Sequence, residues 1–266
     1  MPSLGEAARR LAGSAPSAID PDVYSVLRAV WQTYPRAAAA WRAVIPAEHP
    51  TEERWTRLSE GTPLLDGTMV QWDASPLRQQ YRRLVRIFRS PSFSHLDALG
   101  DLQRLVTQPT CEPNHWARLF FQAEVNEPGP ELVLGGYIIQ PFLYMFARRV
   151  APRLKKEDWR RSRCPVCGGT PYHGYLSPPS RRKVLICGKC MCPWTIPRLQ
   201  CPFCDNTAQE SLGYFYLDQS DHQRIDYCTA CRSILPITIH PESGRPFPLL
   251  DHLVSLPLQN AVERSR

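Results

Sequence analysis

Hydrophobic positions in the first part of the chain recur at the spacing of one face of an α-helix. Asp20 is expected to cap a helix that begins at Pro21, because its carboxylate can accept backbone N–H groups. Pro35 is expected to end that helix, and AAAAWRAVI then predicts another. About seven helices are predicted in total, the later ones within 75–89, 95–106, 114–125 and 131–150.

The helix predicted over 75–89 is amphipathic. Leu77, Tyr81, Leu84, Val85 and Phe88 share one face, and the opposite face carries Arg78, Arg82, Arg83, Arg86 and Arg89. Such an arginine face is typical of a solvated helix surface, with an acidic partner as the alternative.

The most apolar stretch is LVLGGYIIQPFLYMFA at 132–147, with two glycines and a Gln-Pro pair inside it. Because a membrane span needs roughly 20 apolar residues, this stretch predicts a buried core helix. The N-terminus has no apolar core of the kind that a secretory signal requires, so we expect a cytoplasmic protein.

The hydrophobic pattern changes after residue 163 to short strand-like segments, namely YHGYL, KVLIC, SLGYFYL and ITI. We therefore predict an α+β protein, in which an N-terminal all-helical domain precedes two tandem rubredoxin-like or zinc-ribbon tetracysteine modules. The expected boundaries are a helical domain over 1–163, a first ribbon over 164–200, and a second ribbon with the C-terminal tail over 201–266.

Composition excludes collagen and a wholly disordered chain, since 43% of the 266 residues are hydrophobic and 21% are charged. The net charge of +7 raises the question of an anionic partner. Most of this excess lies in a basic junction at 148–163, with eight Lys or Arg and two Asp or Glu. A solvated connecting helix explains it simply. The alternative is an acidic client, for which Arg160, Arg161 and Arg163 are the candidate contacts.

Four C-x2-C pairs carry the most specific signal in the sequence. They are Cys164/Cys167, Cys187/Cys190, Cys201/Cys204 and Cys228/Cys231. Each pair presents two thiolates from one tight turn, and two turns complete a tetrahedral metal site. A spacer of 19 residues separates the first pair from the second, and one of 23 residues separates the third pair from the fourth. Each spacer suits a hairpin that brings two turns together. Disulfides or a thioredoxin-like CxxC are the alternatives.

Sequential pairing of the four turns is favoured over interleaved pairing, because ten residues link Cys190 to Cys201 and suit a short connection between finished ribbons. We expect two tetrathiolate-bound metal ions, and the donor set accepts either iron or zinc. Eight cysteines fill both sites, so His173, His222 and His240 are expected to be surface or hydrogen-bonding residues. Cys192 is expected to be a half-buried free thiol, with an alternative ligand role left open, and Cys111 is expected to be structural.

No enzyme site is supported by the sequence, which contains no P-loop, dinucleotide fingerprint or HExxH motif. Asp218, Asp221 and His222 are interpreted as a polar turn. We expect a protein that is not an enzyme.

These motifs resemble the FdhE family, the formate dehydrogenase accessory (formation) proteins. The resemblance rests on segments throughout the cysteine region and on weaker ones outside it. They are RCPVCGGTP at 163–171, LICGKCMCPW at 185–194, RLQCPFCDN at 198–206, LGYFYL at 212–217, CTAC at 228–231, EGTPLL at 60–65, QPFLYMFA at 140–147 and LLDHLVSLPL at 249–258.

The resemblance implies a cytoplasmic, chaperone-like protein that helps to mature a formate dehydrogenase and binds its catalytic subunit. It also implies rubredoxin-like metal sites, commonly regarded as iron sites, at the four CxxC pairs. Two other functions compete with this one. A zinc-ribbon nucleic-acid-binding protein would fit the basic and aromatic residues, and a thiol redox protein would need a reactive cysteine beside a resolving one.

Overall fold

The structure, a computed structural model, describes residues 1, 3–11, 19–46, 49–93, 96, 99–107, 112–123, 129–154, 159–177, 179–217 and 220–239. The chain forms two compact units, one from Met1–Pro50 with Leu65–Pro152 and the other from Thr51–Leu64 with Arg153–Arg266. Helices and strands are segregated along the chain, so the α+β class is confirmed. Thr51–Leu64, however, belongs with the ribbons rather than with the other helices.

Eight α-helices lie within the described residues. They are α1 (Leu4–Arg10), α2 (Pro21–Ala38), α3 (Trp41–Val44), α4 (Glu52–Ser59), α5 (Ser75–Phe88), α6 (Gly100–Thr107), α7 (Pro113–Gln122) and α8 (Pro130–Leu154). All but α4 contribute to the first unit.

The start of α2 is as predicted, but its end is not. The Asp20 carboxylate accepts the backbone N–H groups of Asp22 and Val23. Pro35 lies inside α2, which continues to Ala38. The expected break is therefore wrong, because the buried face that includes Tyr34 runs on through Ala37 and Ala38. Burial of that face outweighs the backbone hydrogen bond that proline removes.

The amphipathic pattern of α5 is realised. Leu77, Leu84 and Phe88 are almost completely buried, and most of the arginines on the opposite face are exposed. Gln80 breaks the apolar face without leaving it, since its amide nitrogen donates to the Thr33 hydroxyl at 2.7 Å. The helix therefore packs one face into the core of its unit.

The apolar stretch at 132–147 lies in α8 and is buried, as expected, with Leu134, Ile138 and Phe142 fully covered. Gly135 and Gly136 face α7, where a Cβ atom would collide with the Trp116 carbonyl and the Phe120 ring. These two glycines allow the two helix backbones to approach closely. No helix among the described residues combines the length and apolar character that crossing a bilayer requires.

The second unit is built on one six-stranded sheet. Its strands are β1 (Pro171–Ser177), β2 (Arg182–Cys187), β3 (Pro193–Ile196), β4 (Leu212–Leu217), β5 (Ser220–Cys228) and β6 (Ile234–Thr238). The spatial order is β3-β2-β1-β6-β5-β4. Each ribbon supplies an antiparallel meander of three strands, and β1 joins β6 in parallel through Gly174↔Ile237 and Tyr175↔Thr238. The two ribbons thus share one sheet.

Two of these strands were not predicted from the sequence. β3 and β5 lie in polar or short segments, and β5 includes Asp221 and His222, which were interpreted as part of a turn. That interpretation is wrong for these two residues, because the N-terminal half of β5 pairs with β4 and carries polar residues in a strand. Asp218 lies outside the described residues.

The position of α4 in the second unit follows from two contacts. Arg153 donates both guanidinium nitrogens to the Glu52 carboxylate at 2.6 and 2.7 Å and stacks over the Trp55 ring at 4.3 Å. After α4, the Leu64 N–H donates to the Pro165 carbonyl at 3.0 Å. The segment Gly61–Leu64 is therefore attached directly to the first cysteine turn.

Candidate metal centres

Each C-x2-C pair forms a turn of the same shape, which we call a knuckle and number in chain order. The knuckles are 164–168, 187–191, 201–205 and 228–232; the first and third precede β1 and β4, and the second and fourth follow β2 and β5. In each knuckle the N–H of the first cysteine donates to a carbonyl five residues later. The acceptors are the carbonyls of Gly169, Cys192, Asn206 and Ser233, at 2.8–3.1 Å.

A left-handed residue follows the second cysteine of every knuckle. Gly168 has φ 71°, and Met191, Asp205 and Arg232 have φ 58–59°. The four residues at this position share one backbone conformation, although their residue types differ. Non-glycine residues rarely adopt it, so the knuckle geometry holds three residues in a strained backbone conformation.

Glycine in the first knuckle has a second cause. A Cβ atom on Gly168 would lie 3.2 Å from Cγ of Pro63. The Gly61–Leu64 segment covers this knuckle, so a side chain here would meet that cover as well as the backbone strain. The other knuckles carry larger residues at this position.

The first and second knuckles together form the first cluster, which is closed to solvent. Its sulfur atoms, from Cys164, Cys167, Cys187 and Cys190, all lie within 4.8 Å of one another. The Cys164–Cys190 and Cys167–Cys187 Sγ atoms are 3.5 Å apart. All four cysteines are buried.

The third and fourth knuckles form the second cluster, which is partly open. It groups Cys201, Cys204, Cys228 and Cys231, with Sγ–Sγ distances of 3.6 Å for Cys201–Cys231 and 3.9 Å for Cys204–Cys228. Cys201 and Cys228 are buried, Cys231 is half-buried and Cys204 is exposed. The grouping of the knuckles is therefore sequential in both clusters.

The donor sets and the geometry fit a tetrahedral metal ion. Metal–sulfur bonds of about 2.3 Å at tetrahedral angles place the sulfur atoms about 3.8 Å apart. The measured Sγ–Sγ distances of 3.5–3.9 Å bracket that edge length. Backbone N–H groups of Val166, Lys189 and Phe203 donate to the first sulfur of their knuckles at 3.3–3.4 Å, and such bonds stabilise thiolate charge. Each cluster could hold one metal ion in this way.

In each cluster, one cysteine has a lowered pKa and so ionises most readily to the thiolate. Burial raises the pKa of Cys164 and Cys190 well above the ordinary cysteine value. Burial opposes ionisation of Cys187 too, but hydrogen bonds from the other three thiols hold its pKa well below that value. In the second cluster, burial again opposes ionisation, yet the backbone N–H groups of Cys231 and Ala230 lower the pKa of Cys228 to about 7. Metal binding must therefore displace protons from the remaining thiols.

Hydrogen bonds to its backbone carbonyls hold the C-terminal part of the basic junction in place. The carbonyls of Arg160, Arg161 and Arg163 accept hydrogen bonds from the side chains of Gln200, Trp194 and Trp159 at 2.9, 3.0 and 2.8 Å. The side chains of Arg160 and Arg161 are exposed, and that of Arg163 is half-buried. Arg161 also donates to the Glu60 carbonyl at 3.2 Å. The three predicted partner contacts thus lie on a fixed segment beside the linker between the ribbons; residues 155–158 of the junction fall outside the described residues.

Asp205 in the third knuckle is a structural residue that the sequence reasoning missed. Its carboxylate accepts from the N–H and hydroxyl of Ser162 at 2.8 and 3.1 Å and from the Gln200 amide at 2.6 Å. It therefore ties the basic junction to the second cluster. The sequence offered one signal, an acidic residue at the position where the first knuckle has Gly168.

The remaining sequence predictions divide between confirmation and correction. His173 is a hydrogen-bonding residue, as expected, with Nε2 3.0 Å from the Thr238 hydroxyl. Cys192 is fully buried rather than half-buried, and its thiol lies 3.5 Å from the Pro193 carbonyl oxygen. It is not part of the first cluster. Cys111 and His240, like the side chain of His222, are outside the described residues.

The curated proteins that are similar in sequence to this chain include several FdhE homologues. No family model matches the chain. A curated FdhE homologue of Haemophilus ducreyi is 28% identical over 121 residues, which cover 44% of this chain and 39% of that protein. One from Pectobacterium carotovorum is 29% identical over 169 residues, covering 60% of this chain and 50% of that protein. The chain thus aligns with half or less of the length of these curated relatives.

The fold is shared with a solved structure. The crystal structure of the FdhE protein from Pseudomonas aeruginosa superimposes with a TM-score of 0.69 at 19% sequence identity. The match covers 98% of this chain and 90% of that one. The chain is similar in sequence to curated FdhE homologues and shares its fold with an FdhE protein, which confirms the resemblance indicated by its cysteine motifs.

Proposed function

We propose that this protein is an accessory, chaperone-like factor for the maturation of a formate dehydrogenase. It binds the catalytic subunit of that enzyme in the cytoplasm and has no catalytic activity of its own. The observation that carries the proposal is the pair of sequential tetracysteine clusters on one sheet, within a fold shared with an FdhE protein.

We further propose that the eight clustered cysteines bind two metal ions, either iron or zinc. The donor set supports this, since four thiolates at tetrahedral spacing suit both metals. The ribbons are small, and bound metal would couple directly to their folding. Metal analysis and visible absorption after anaerobic purification distinguish coloured iron–thiolate protein from colourless zinc protein.

The client surface includes the exposed arginines of the basic junction. Arg160 is the contact to test, because its side chain is exposed and its carbonyl is held by Gln200. The Arg161 side chain donates to the Glu60 carbonyl, so its replacement would also disturb that contact. Arg160→Gln should weaken capture of an acidic client without loss of metal, because neither cluster uses this side chain. Arg182→Gln, at an exposed position of β2, is the matched charge control.

The test is co-purification of the tagged full chain with candidate formate dehydrogenase catalytic subunits under anaerobic conditions. Specific capture that survives in Arg182→Gln and falls several-fold in Arg160→Gln supports both the client and the surface. Capture that is unchanged in Arg160→Gln assigns the junction to solvent. No capture of any subunit, together with salt-sensitive binding to RNA or DNA, would replace the accessory role with nucleic-acid binding.

A further inference from the structure

A half-open groove of about 520 Å³ lies on the second unit, next to the second cluster. Its lining includes Lys183 from the first ribbon, Arg198 from the linker, and Phe203, Tyr214, Arg224 and Asp226 from the second ribbon. A volume of this size is in the range of small-ligand sites. Cys201 and Cys228 of the second cluster also line the groove, so it borders that cluster directly.

Three charged side chains are buried at the base of this groove. The Lys183 ammonium lies 2.8 Å from one oxygen of Asp226, and Nε of Arg224 lies 2.8 Å from the other. The side chains of Lys183 and Arg224 are 5% exposed, and that of Asp226 is 9% exposed. One carboxylate therefore contacts two buried cations, and these three side chains together carry one excess positive charge.

Strand pairing explains how residues of two ribbons meet. Side chains of paired residues point to the same face of a sheet. Along β1, β6 and β5, the pairs Gly174↔Ile237 and Ile237↔Arg224 place Arg224 on the face of Gly174. Lys183 pairs with Leu176, two residues from Gly174, and shares that face. Gly174 has no side chain to stand between the cations, and its neighbour Ile237 is buried.

The rim and walls of the groove add charge and apolar surface. Arg198 is exposed at the rim and has no ion-pair partner among the described residues. The guanidinium of Arg224 stacks over the Tyr214 ring at 4.3 Å, and Tyr214 is 53% exposed. Phe203, in the third knuckle, also lines the groove. The ring attracts the guanidinium, so this contact helps to hold Arg224 in place.

We propose that this groove binds an organic monoanion, with a carboxylate against Lys183 and Arg224 and an apolar or aromatic body along Phe203 and Tyr214. An excess buried charge is costly unless a counter-charge neutralises it. A single carboxylate supplies that counter-charge, and Arg198 closes over it from the rim. The carboxylate comes from a free small acid or from a side chain of a polypeptide. The site is independent of the proposed accessory role.

The test is a titration of the full, metal-containing chain followed by NMR or calorimetry. The probes are phenylacetate, its neutral counterpart phenylacetamide, phenyl phosphate, and a terminally blocked Phe-Asp dipeptide. Phenylacetate should bind at least tenfold more tightly than phenylacetamide, because the site recognises charge. Tighter binding of the dipeptide than of phenylacetate assigns a polypeptide carboxylate, and the reverse order assigns a free acid.

Two substitutions and one matched control locate the binding. Lys183→Met leaves Arg224 paired with Asp226, so the buried cluster becomes neutral and phenylacetate affinity should fall tenfold or more. Arg198→Gln, at the exposed rim, should reduce it about threefold without threatening the fold. Arg182→Gln removes the same charge from the neighbouring exposed position on the other face of β2, and should leave binding unchanged.

Three results would overturn the proposal. Equal binding of phenylacetate and phenylacetamide would show that charge is not recognised. Tighter binding of phenyl phosphate than of phenylacetate would exclude a monoanion as the preferred ligand. Equal losses in Arg182→Gln and Arg198→Gln would show a general charge effect rather than a site. Metal content, measured on every variant, confirms that the clusters are intact.

Discussion

The two tetracysteine clusters have the same backbone design but different access to solvent. All four cysteines of the first cluster are buried, whereas Cys204 of the second is exposed and Cys231 is half-buried. The difference comes from outside the ribbons. Segment Gly61–Leu64 attaches to the first knuckle through the Leu64–Pro165 hydrogen bond and lies over Gly168. In the second cluster, Thr229 of the fourth knuckle donates its N–H to the Ser211 carbonyl at 2.9 Å, but Cys204 of the third knuckle stays exposed.

This comparison separates two roles that one motif can perform. A buried cluster resembles a closed structural metal site, in which metal binding contributes to folding. A cluster with an exposed sulfur can meet solvent, reagents and partners. We therefore expect the first cluster to stabilise the unit and the second to respond to its surroundings.

Replacement of one cysteine should show the largest difference in stability effect between the two clusters. Cys164→Ser removes a fully buried sulfur, and we expect loss of one metal ion with destabilisation of more than about 4 kcal/mol. Cys204→Ser should cost about 2 kcal/mol, because water can reach the open position. Metal content per chain and urea unfolding measure both effects. Equal destabilisation by the two substitutions would contradict the division of roles.

Metal release should follow the same order. A chromogenic chelator should remove the metal of the second cluster at least several-fold faster than that of the first, and Cys204 should be alkylated first, as mass spectrometry would record. Pro63→Gly should loosen the cover and accelerate release from the first cluster alone. If Pro63→Gly leaves both release rates unchanged, segment Gly61–Leu64 does not control access.

One glycine in each ribbon tests the packing around its strand in the shared sheet. A methyl group on Gly174 would lie 2.7 Å from Cδ1 of the buried Ile237 and 3.0 Å from the Val184 carbonyl. Gly174→Ala should therefore destabilise the protein by about 1–3 kcal/mol. A methyl group on Gly213 would meet the Tyr227 ring, which is 37% exposed and can turn aside. Gly213→Ala should cost less, as thermal unfolding of both variants would show.

The smallest effects are expected at the left-handed positions of the second cluster. Arg232→Gly relieves backbone strain at an exposed residue and should stabilise the protein by up to about 1 kcal/mol. Asp205→Gly relieves the same strain but removes the acceptor for Ser162 and Gln200, so a net loss of about 1 kcal/mol is expected. Denaturant midpoints distinguish the two signs. A gain in both variants would show that the Asp205 bonds contribute little.

Local patterns predicted the helical elements and the cysteine turns. Asp20 acts at the start of α2, and the apolar stripe of α5 lies within that single helix. Each of these effects is therefore visible in a short segment of sequence. The prediction at Pro35 was wrong because α2 tolerates this proline only through burial of the helix face around it. That burial depends on contacts with residues far away in the chain. β3 and β5 were missed because their residues lack strand periodicity, and sheet neighbours supply the hydrogen bonds that make them strands.

The sequence by itself determined the four cysteine turns, since the x2 spacing builds each knuckle, and its short hairpin spacers favoured the sequential grouping that the structure has. Only the tertiary structure decided that both ribbons form one sheet, that Gly61–Leu64 seals the first cluster, and that Lys183 meets Arg224 and Asp226. These features join residues that are far apart in the chain. They arise from packing and strand pairing, which leave no periodic or spaced signal in the sequence.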